Sequence, residues 1–223
     1  MLGQRLPMAA LYVSNASQFT NPRDLCAATY GGETNSAFVM EHLALLRRLG
    51  HGGDDLHVEV RYEDLPGALA GGRIDVIPDY AGLRYSYQLS VPKELNVEAL
   101  PYRDCGVLAY GTVFVGSKKG LETKREALRR FLAVARSGYE AMRSSPESVV
   151  DEAAALLPEM DRSYALTEWL EEEEEVLFEF GELGATDPSL WAATVEWRAE
   201  VAGFPSPPDP RLLHESLEHG PAF

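Results

Sequence analysis

The stretch CAATYGGETNSAFVMEHLALLRRLG, running from Cys26 to Gly50, sets the fold class of this chain. Its opening, Cys26 to Tyr30, predicts a short strand, and Gly31-Gly32-Glu33-Thr34-Asn35-Ser36 predicts the loop after it. Phe38, Val39, His42, Leu45, Leu46 and Leu49 then recur at helical spacing, and Gly50 closes the helix as a C-cap does. Strand, glycine loop and helix in that order are the repeating part of an α/β layer fold.

The alternation continues on both sides. Downstream, Leu56, Val58 and Val60 alternate with His57, Glu59 and Arg61, the period of a strand with one covered face. A short helix, Asp64 to Ala70, ends at Gly71-Gly72, and Ile74 to Ile77 predicts another strand before Pro78-Asp79-Tyr80 and a segment carrying Tyr85 and Tyr87. Upstream, the apolar run Ala9 to Val13 predicts a short buried strand, Ser14 to Asn21 a polar crossing, and Pro22 the start of a helical turn. Such a lobe carries a largely parallel sheet, with ligands beyond the carboxyl ends of its strands. Past Pro101 to Leu108, Thr112 to Val115 predicts a last strand, and from Glu122 the chain reads as helical. Leu128, Phe131, Leu132, Ala135, Tyr139 and Met142 line one face of a long helix. Ser145-Pro146 and Asp187-Pro188 each supply an N-cap and a first-turn proline, so four C-terminal helices are expected. Four prolines predict an extended tail over Pro205 to Phe223.

With 223 residues, 45% of them apolar, the chain fills one large domain or two small lobes. Its formal charge of −15 excludes a nucleic-acid surface and disfavours anionic membranes, because phosphate backbones are held by clustered Lys and Arg. It does not exclude a small ligand held locally by backbone N–H groups. No run approaches the roughly 18 apolar residues of a membrane span, and Met1 to Tyr12 shows no secretory signal. Cys26 and Cys105 lie far apart without clustered histidines, the pattern of neither a metal site nor a disulfide framework.

Four stretches together resemble the substrate-binding proteins of ABC transporters that take thiamine pyrimidines, sulfonates, taurine and nitrate. Pro22-Arg23-Asp24-Leu25 with Gly31-Gly32 is similar to that family's "S-P-x-D-L-x-G-K-x-x-G-x-x-G-G-S". Ala68-Leu69-Ala70-Gly71-Gly72-Arg73-Ile74-Asp75 resembles "A-L-x-x-G-x-x-D-A", and Asp104-Cys105-Gly106 through Tyr110-Gly111 resembles the return crossing "D-Y-G-x-x-Y-G". The fourth stretch is the helical block, with Ala127 to Leu132, Gly138-Tyr139, Ser145-Pro146-Glu147 and Leu157 to Asp161. The resemblance implies a type II periplasmic-binding-protein fold: α/β, two lobes with parallel-rich sheets, and a helical C-terminal block. Residues 1–20 and 105–223 would form the first lobe and 21–104 the second, hinged at Ser14 to Asn21 and Tyr102 to Leu108. Relatives begin with strand and helix units that have no counterpart here, so the first lobe is expected to be incomplete. Either the chain is a piece of a longer protein, or a partner or a second copy completes it. A cleft with one lip is expected to bind weakly.

The candidate ligand-binding residues are Gly31, Gly32, Glu33, Thr34, Asn35 and Ser36, where glycine clearance, helix N–H groups and two hydroxyls converge. The plainer reading is that Thr34 or Asn35 only caps the helix. Glu33 repels a sulfonate but accepts hydrogen bonds from an aminopyrimidine, which favours a heterocycle. Asp79 and Tyr80 stand where relatives carry "G-Y-W-N" facing the cleft, to bind an amino group and stack on a ring, with Tyr110 as a further aromatic; the alternative is that these tyrosines pack internally. The run Glu171 to Glu175 is no metal site, since consecutive helical residues point around the circumference. No cofactor is implied. Three functions follow. The first is a solute-binding protein that takes a small heterocyclic or organic-anion ligand, a thiamine pyrimidine precursor foremost, and works outside the cytoplasm with a transporter permease. The second is a pyrimidine synthase, whose cysteine-rich segment is missing here. The third is a non-binding fragment or assembly subunit.

Overall fold

The structure is a computed structural model that describes residues 3–5, 7–14, 19, 21–114, 116–172 and 187–210. Its strands are β1 (Gly3–Arg5), β2 (Met8–Val13), β3 (Tyr30–Gly32), β4 (His57–Glu59), β5 (Val76–Tyr80), β6 (Val97–Pro101) and β7 (Tyr110–Val113). The helices are α1 (Ala37–Arg48), α2 (Leu65–Ala70), α3 (Arg84–Ser90), α4 (Lys118–Ser144), α5 (Pro146–Leu156), α6 (Arg162–Glu172) and α7 (Pro188–Ala202). Two compact units divide the chain: Leu6–Leu108 with Glu196–Pro207, and Met1–Arg5 with Ala109–Val195 and Pro208–Phe223.

The first unit is the α/β layer. Its sheet has the order β4-β3-β5-β2-β6, with β3 parallel to β4 and β5 and β2 antiparallel to β5 and β6. The sequence reading groups Ala9 to Val13 with the C-terminal helices; the structure pairs it inside this sheet, Leu11 opposite Ile77 and Ala99. The reason is burial. Met8, Ala9, Ala10 and Leu11 are all buried, so the strand has no solvent face and needs a neighbour on each edge. Leu11, Val13, Val60, Leu65, Leu69, Ile74, Ile77 and Val97 form the core on one side. On the other side the second half of α7 meets α1, where the Trp197 indole N–H and Arg198 donate to the buried Glu41 carboxylate at 3.2 and 2.5 Å. Arg48 adds a bidentate pair with Glu200 and lies 5.1 Å over the Trp197 ring.

Several elements differ from the sequence reading. Residues Pro22–Ala27 form a 3-10 turn rather than leading into a strand at Cys26, because Asn21 and Asp24 cap each other's backbone. The strand therefore starts later and takes in both glycines, Gly31 opposite Val58 and Gly32 opposite Glu59. Likewise β5 extends through Asp79 and Tyr80, and β6 forms where no strand is expected. Helix α1 matches its pattern, with Val39, His42, Leu45 and Leu46 buried, and Gly50 beyond its end at φ +95. Both cysteines are free thiols.

The second unit pairs β1 with β7 antiparallel and carries α4, α5, α6 and the first half of α7. Leu132, Ala135, Tyr139 and Trp169 pack together, yet no residue of α4 is fully buried. The helix is broken at Lys124, whose φ/ψ of −128 and 21 is not helical. Ser145 flanks α5 without a side-chain cap, whereas Asp187 does cap α7, accepting from the N–H groups of Ser189 and Leu190 at 2.7 and 2.9 Å. Glu173 to Glu175 of the glutamate run, and the tail beyond Pro210, lie outside the described residues.

Candidate functional site

The loop before α1 is held from beneath by Asp75, the acid that ends the Gly71-Gly72 motif. Its carboxylate accepts from the Thr29 N–H and hydroxyl at 2.8 and 2.7 Å, fixing the start of β3 against the start of β5. The glycines that follow are closely packed by side chains. A Cβ on Gly31 would stand 2.5 Å from Ile74 Cδ1 and 3.1 Å from Leu65 Cδ2, and one on Gly32 would stand 2.5 Å from Val39 Cγ2. Ser36, not Thr34 or Asn35, caps α1, its hydroxyl accepting from the Val39 N–H at 3.1 Å. Thr34 is turned to β4 instead, where its N–H and hydroxyl both donate to Glu59. That hydroxyl holds the Glu59 carboxyl below the usual carboxylate range.

At the carboxyl ends of β3 and β5 lies a cavity of about 250 Å³. Gly31, Gly32, Glu33 and Ser36 form one side of it, Phe38 and Val39 of α1 continue it, and Tyr62, Leu65 and Pro78 form the rest. Its walls are mainly apolar and aromatic. Glu33 is its charged lining group, exposed at the mouth, and no lysine, arginine or histidine is among the lining residues. Ligands of α/β sheets are taken at such strand ends, in clefts with few polar groups.

Behind Pro78 sits a buried carboxyl. Asp79 accepts from the Tyr87 hydroxyl at 2.8 Å and from the Tyr80 N–H at 2.8 Å, and the Tyr62 hydroxyl bonds it as well. Burial pushes its pKa up, and these hydrogen bonds pull it partly back. Burial likewise drives the Tyr87 phenol far up, with Asp79 adding to it. Asp79 is thus a buried anchor for two tyrosines rather than an open ligand group. Tyr80 is 39% exposed, and its ring meets Phe38 edge-on at 5.2 Å.

The structure therefore brings Gly31, Gly32, Glu33 and Ser36 to one cavity, with Asp79 and Tyr80 immediately beside its Pro78 and Phe38 walls. Thr34 and Asn35 are exposed and do not line it. Tyr110 belongs to the other unit and is buried there: its hydroxyl accepts from the Asp187 N–H at 3.0 Å, and its own N–H donates to Thr194 at 2.8 Å. Phe38, Tyr62, Leu65 and Pro78 are lining residues that the sequence reading misses. A further polar pair, unforeseen, lies inside the α/β unit, where His42 Nδ1 stands 2.7 Å from the Tyr102 hydroxyl and burial pushes the imidazole down to about 3. Among the described residues no group of His, Cys, Asp and Glu could hold a metal ion, and no helix is long and apolar enough to cross a membrane.

The family model described as NMT1/THI5 like matches residues 3–149, a span that includes the whole cavity and its supports. The chain belongs to the NMT1/THI5-like family. The periplasmic aliphatic sulphonate binding protein SsuA from Escherichia coli superposes with a TM-score of 0.67 at 15% identity, covering 100% of this chain and 71% of that one. The alkanesulfonate-binding protein SsuA from Xanthomonas axonopodis pv. citri, bound to MOPS, superposes with a TM-score of 0.55 at 12% identity, covering 96% and 69%. At such identities the likeness is one of fold, and that fold is the type II periplasmic-binding-protein α/β architecture. No curated protein matches the chain.

Proposed function

We propose that this member of the NMT1/THI5-like family is a solute-binding protein of an ABC-type importer that captures a small heterocycle, an aminopyrimidine of the thiamine-precursor kind, without covalent chemistry. The permease is its partner and its place of work is outside the cytoplasm. The observation that carries the ligand reading is the cavity lining: apolar and aromatic walls, a carboxylate at Glu33 and no cationic side chain. A flat ring gains from burial against Phe38 and Tyr62, and its amino group has an acceptor in Glu33, whereas a sulfonate is repelled by that carboxylate. The test is thermal unfolding with formylaminopyrimidine, taurine or nitrate. At about 100 times its dissociation constant the pyrimidine adds ~2.7 kcal/mol to unfolding; stabilisation by taurine with none from the pyrimidine overturns the ligand assignment.

A second reading is that the helical unit is completed by another copy or by a partner. It rests on large apolar side chains left in solvent on that unit, among them Phe131, Val134 and Leu156 at 52%, 73% and 82% exposed. Light scattering over a concentration series tests it, and a monomer at every concentration removes the second-copy form.

A further inference from the structure

We infer that the cavity before α1 selects a cation: its ligand class is a flat ring carrying a protonated amine, read by Glu33 and by the aromatic rings of Phe38 and Tyr62. This rests on the solute-binding reading above and adds to it the charge of the solute. Three observations meet here. Glu33 lines the cavity, and among the described residues no side chain is paired with its carboxylate, so its charge is available at the mouth. The lining contains no lysine, arginine or histidine that would neutralise it. Two aromatic rings line the same cavity, each held by a contact of its own: Phe38 forms a T-shaped pair with Tyr80, and the Tyr62 hydroxyl is tied back to the buried Asp79.

The tether matters because it uses up the polar end of Tyr62 and leaves its ring as wall. An aromatic face attracts a cation through its quadrupole, and an unpaired carboxylate beside it adds to that attraction. The opposing influence is the positive end of α1. Its field is equivalent to about half a charge, and part of it is taken up locally, since the Ser36 hydroxyl accepts from Val39 and the Glu33 carbonyl accepts from the Ser36 N–H at 2.8 Å. A full negative charge at Glu33 outweighs it. An uncharged aminopyrimidine uses the walls and donates a hydrogen bond to Glu33, but leaves the charge of the carboxylate uncompensated.

The experiment is calorimetric titration of the full chain with two matched pairs of probes. One pair is 4-amino-5-aminomethylpyrimidine against 4-amino-5-hydroxymethylpyrimidine; the other is benzylamine against benzyl alcohol. Within each pair shape is nearly constant and only the charge changes. The amine is expected to bind roughly tenfold more tightly than its alcohol at low salt. That gap narrows as salt is raised, because Glu33 is exposed and screened, and it closes in Glu33→Gln. A role for Glu33 in folding alone would not move the salt dependence. Equal or tighter binding of both alcohols, a gap that persists in Glu33→Gln, or no binding of any of the four probes overturns the inference. Binding of benzylamine over benzyl alcohol, with neither pyrimidine bound, upholds cation selection while overturning the pyrimidine assignment.

Discussion

The α/β unit and the helical unit solve burial differently. In the first, β2 is covered on every side and Leu11, Leu25, Leu45, Leu46 and Ile77 are essentially inaccessible. In the second, the 27-residue α4 has no fully buried residue, and Phe131 and Val134 stand in solvent. A sheet sandwiched by helices closes its core by local alternation of elements, whereas a helix with apolar residues on two faces needs a second surface against it. Stability is accordingly concentrated in the sheet.

The largest expected effect tests that concentration directly. Leu11→Ala removes a fully buried side chain from an interior strand and should cost about 2–5 kcal/mol in urea unfolding, while Val134→Ala on α4 should stay within about 0.5 kcal/mol. Equal losses at the two positions would break the contrast.

Gly31→Ala comes next. The new methyl meets Ile74 and Leu65, and overpacking of this kind costs about 1–3 kcal/mol. Because Gly31 also lines the cavity, ligand affinity should fall with it; unchanged melting would show that Ile74 has room to yield.

Acid sharpens the contrast further, since His42 is buried neutral in the α/β unit and α4 to α6 contain no histidine. Its folded pKa of about 3 lies below the unfolded 6.5, so protonation favours the unfolded chain. Its stabilisation is present above the unfolded value and is lost as pH falls toward 3, roughly 2 kcal/mol of it between pH 7 and 5. Asp79 acts in the opposite sense: its raised pKa gives stability that is full below the unfolded carboxylate value and fades as pH rises. The measurement is the urea midpoint of the sheet signal against pH, with His42→Gln expected to flatten the slope.

The smallest effect has the other sign. Gly138 lies in the interior of α4, and a Cβ added there would meet nothing within 4 Å, so Gly138→Ala should stabilise the helical unit by about 0.5–1 kcal/mol. Destabilisation would mean that a surface covers this face in solution, which light scattering of the variant would resolve.

These positions also show what a sequence can and cannot disclose. Helix α1 was legible because Val39, His42, Leu45 and Leu46 share one face, and α7 because Asp187-Pro188 states its start. The place of β2 was not, since an apolar run announces burial but not its neighbours. A strand made of Tyr30, Gly31 and Gly32 has no alternating side chains to show, so its glycines read as loop. Ser36 could not be told from Thr34 and Asn35 as the cap, because all three types suit that place. Within the site, Glu33 stood out by its charge, but Phe38 and Tyr62 come from separate elements whose meeting only the sheet order determines. Tyr110 looked like a stacking residue, yet its hydroxyl serves the N-terminus of α7.

The position of β2 has a consequence for how the chain is made. It is synthesised before either of its strand partners, and it is apolar on both faces. Its partner β5 ends at Tyr80 and its partner β6 at Pro101, so neither edge of β2 can be satisfied until most of the α/β unit has been synthesised. For that interval an unpaired apolar strand must be kept from other chains, and the last amides to gain exchange protection during refolding should be those of Ala9 to Tyr12.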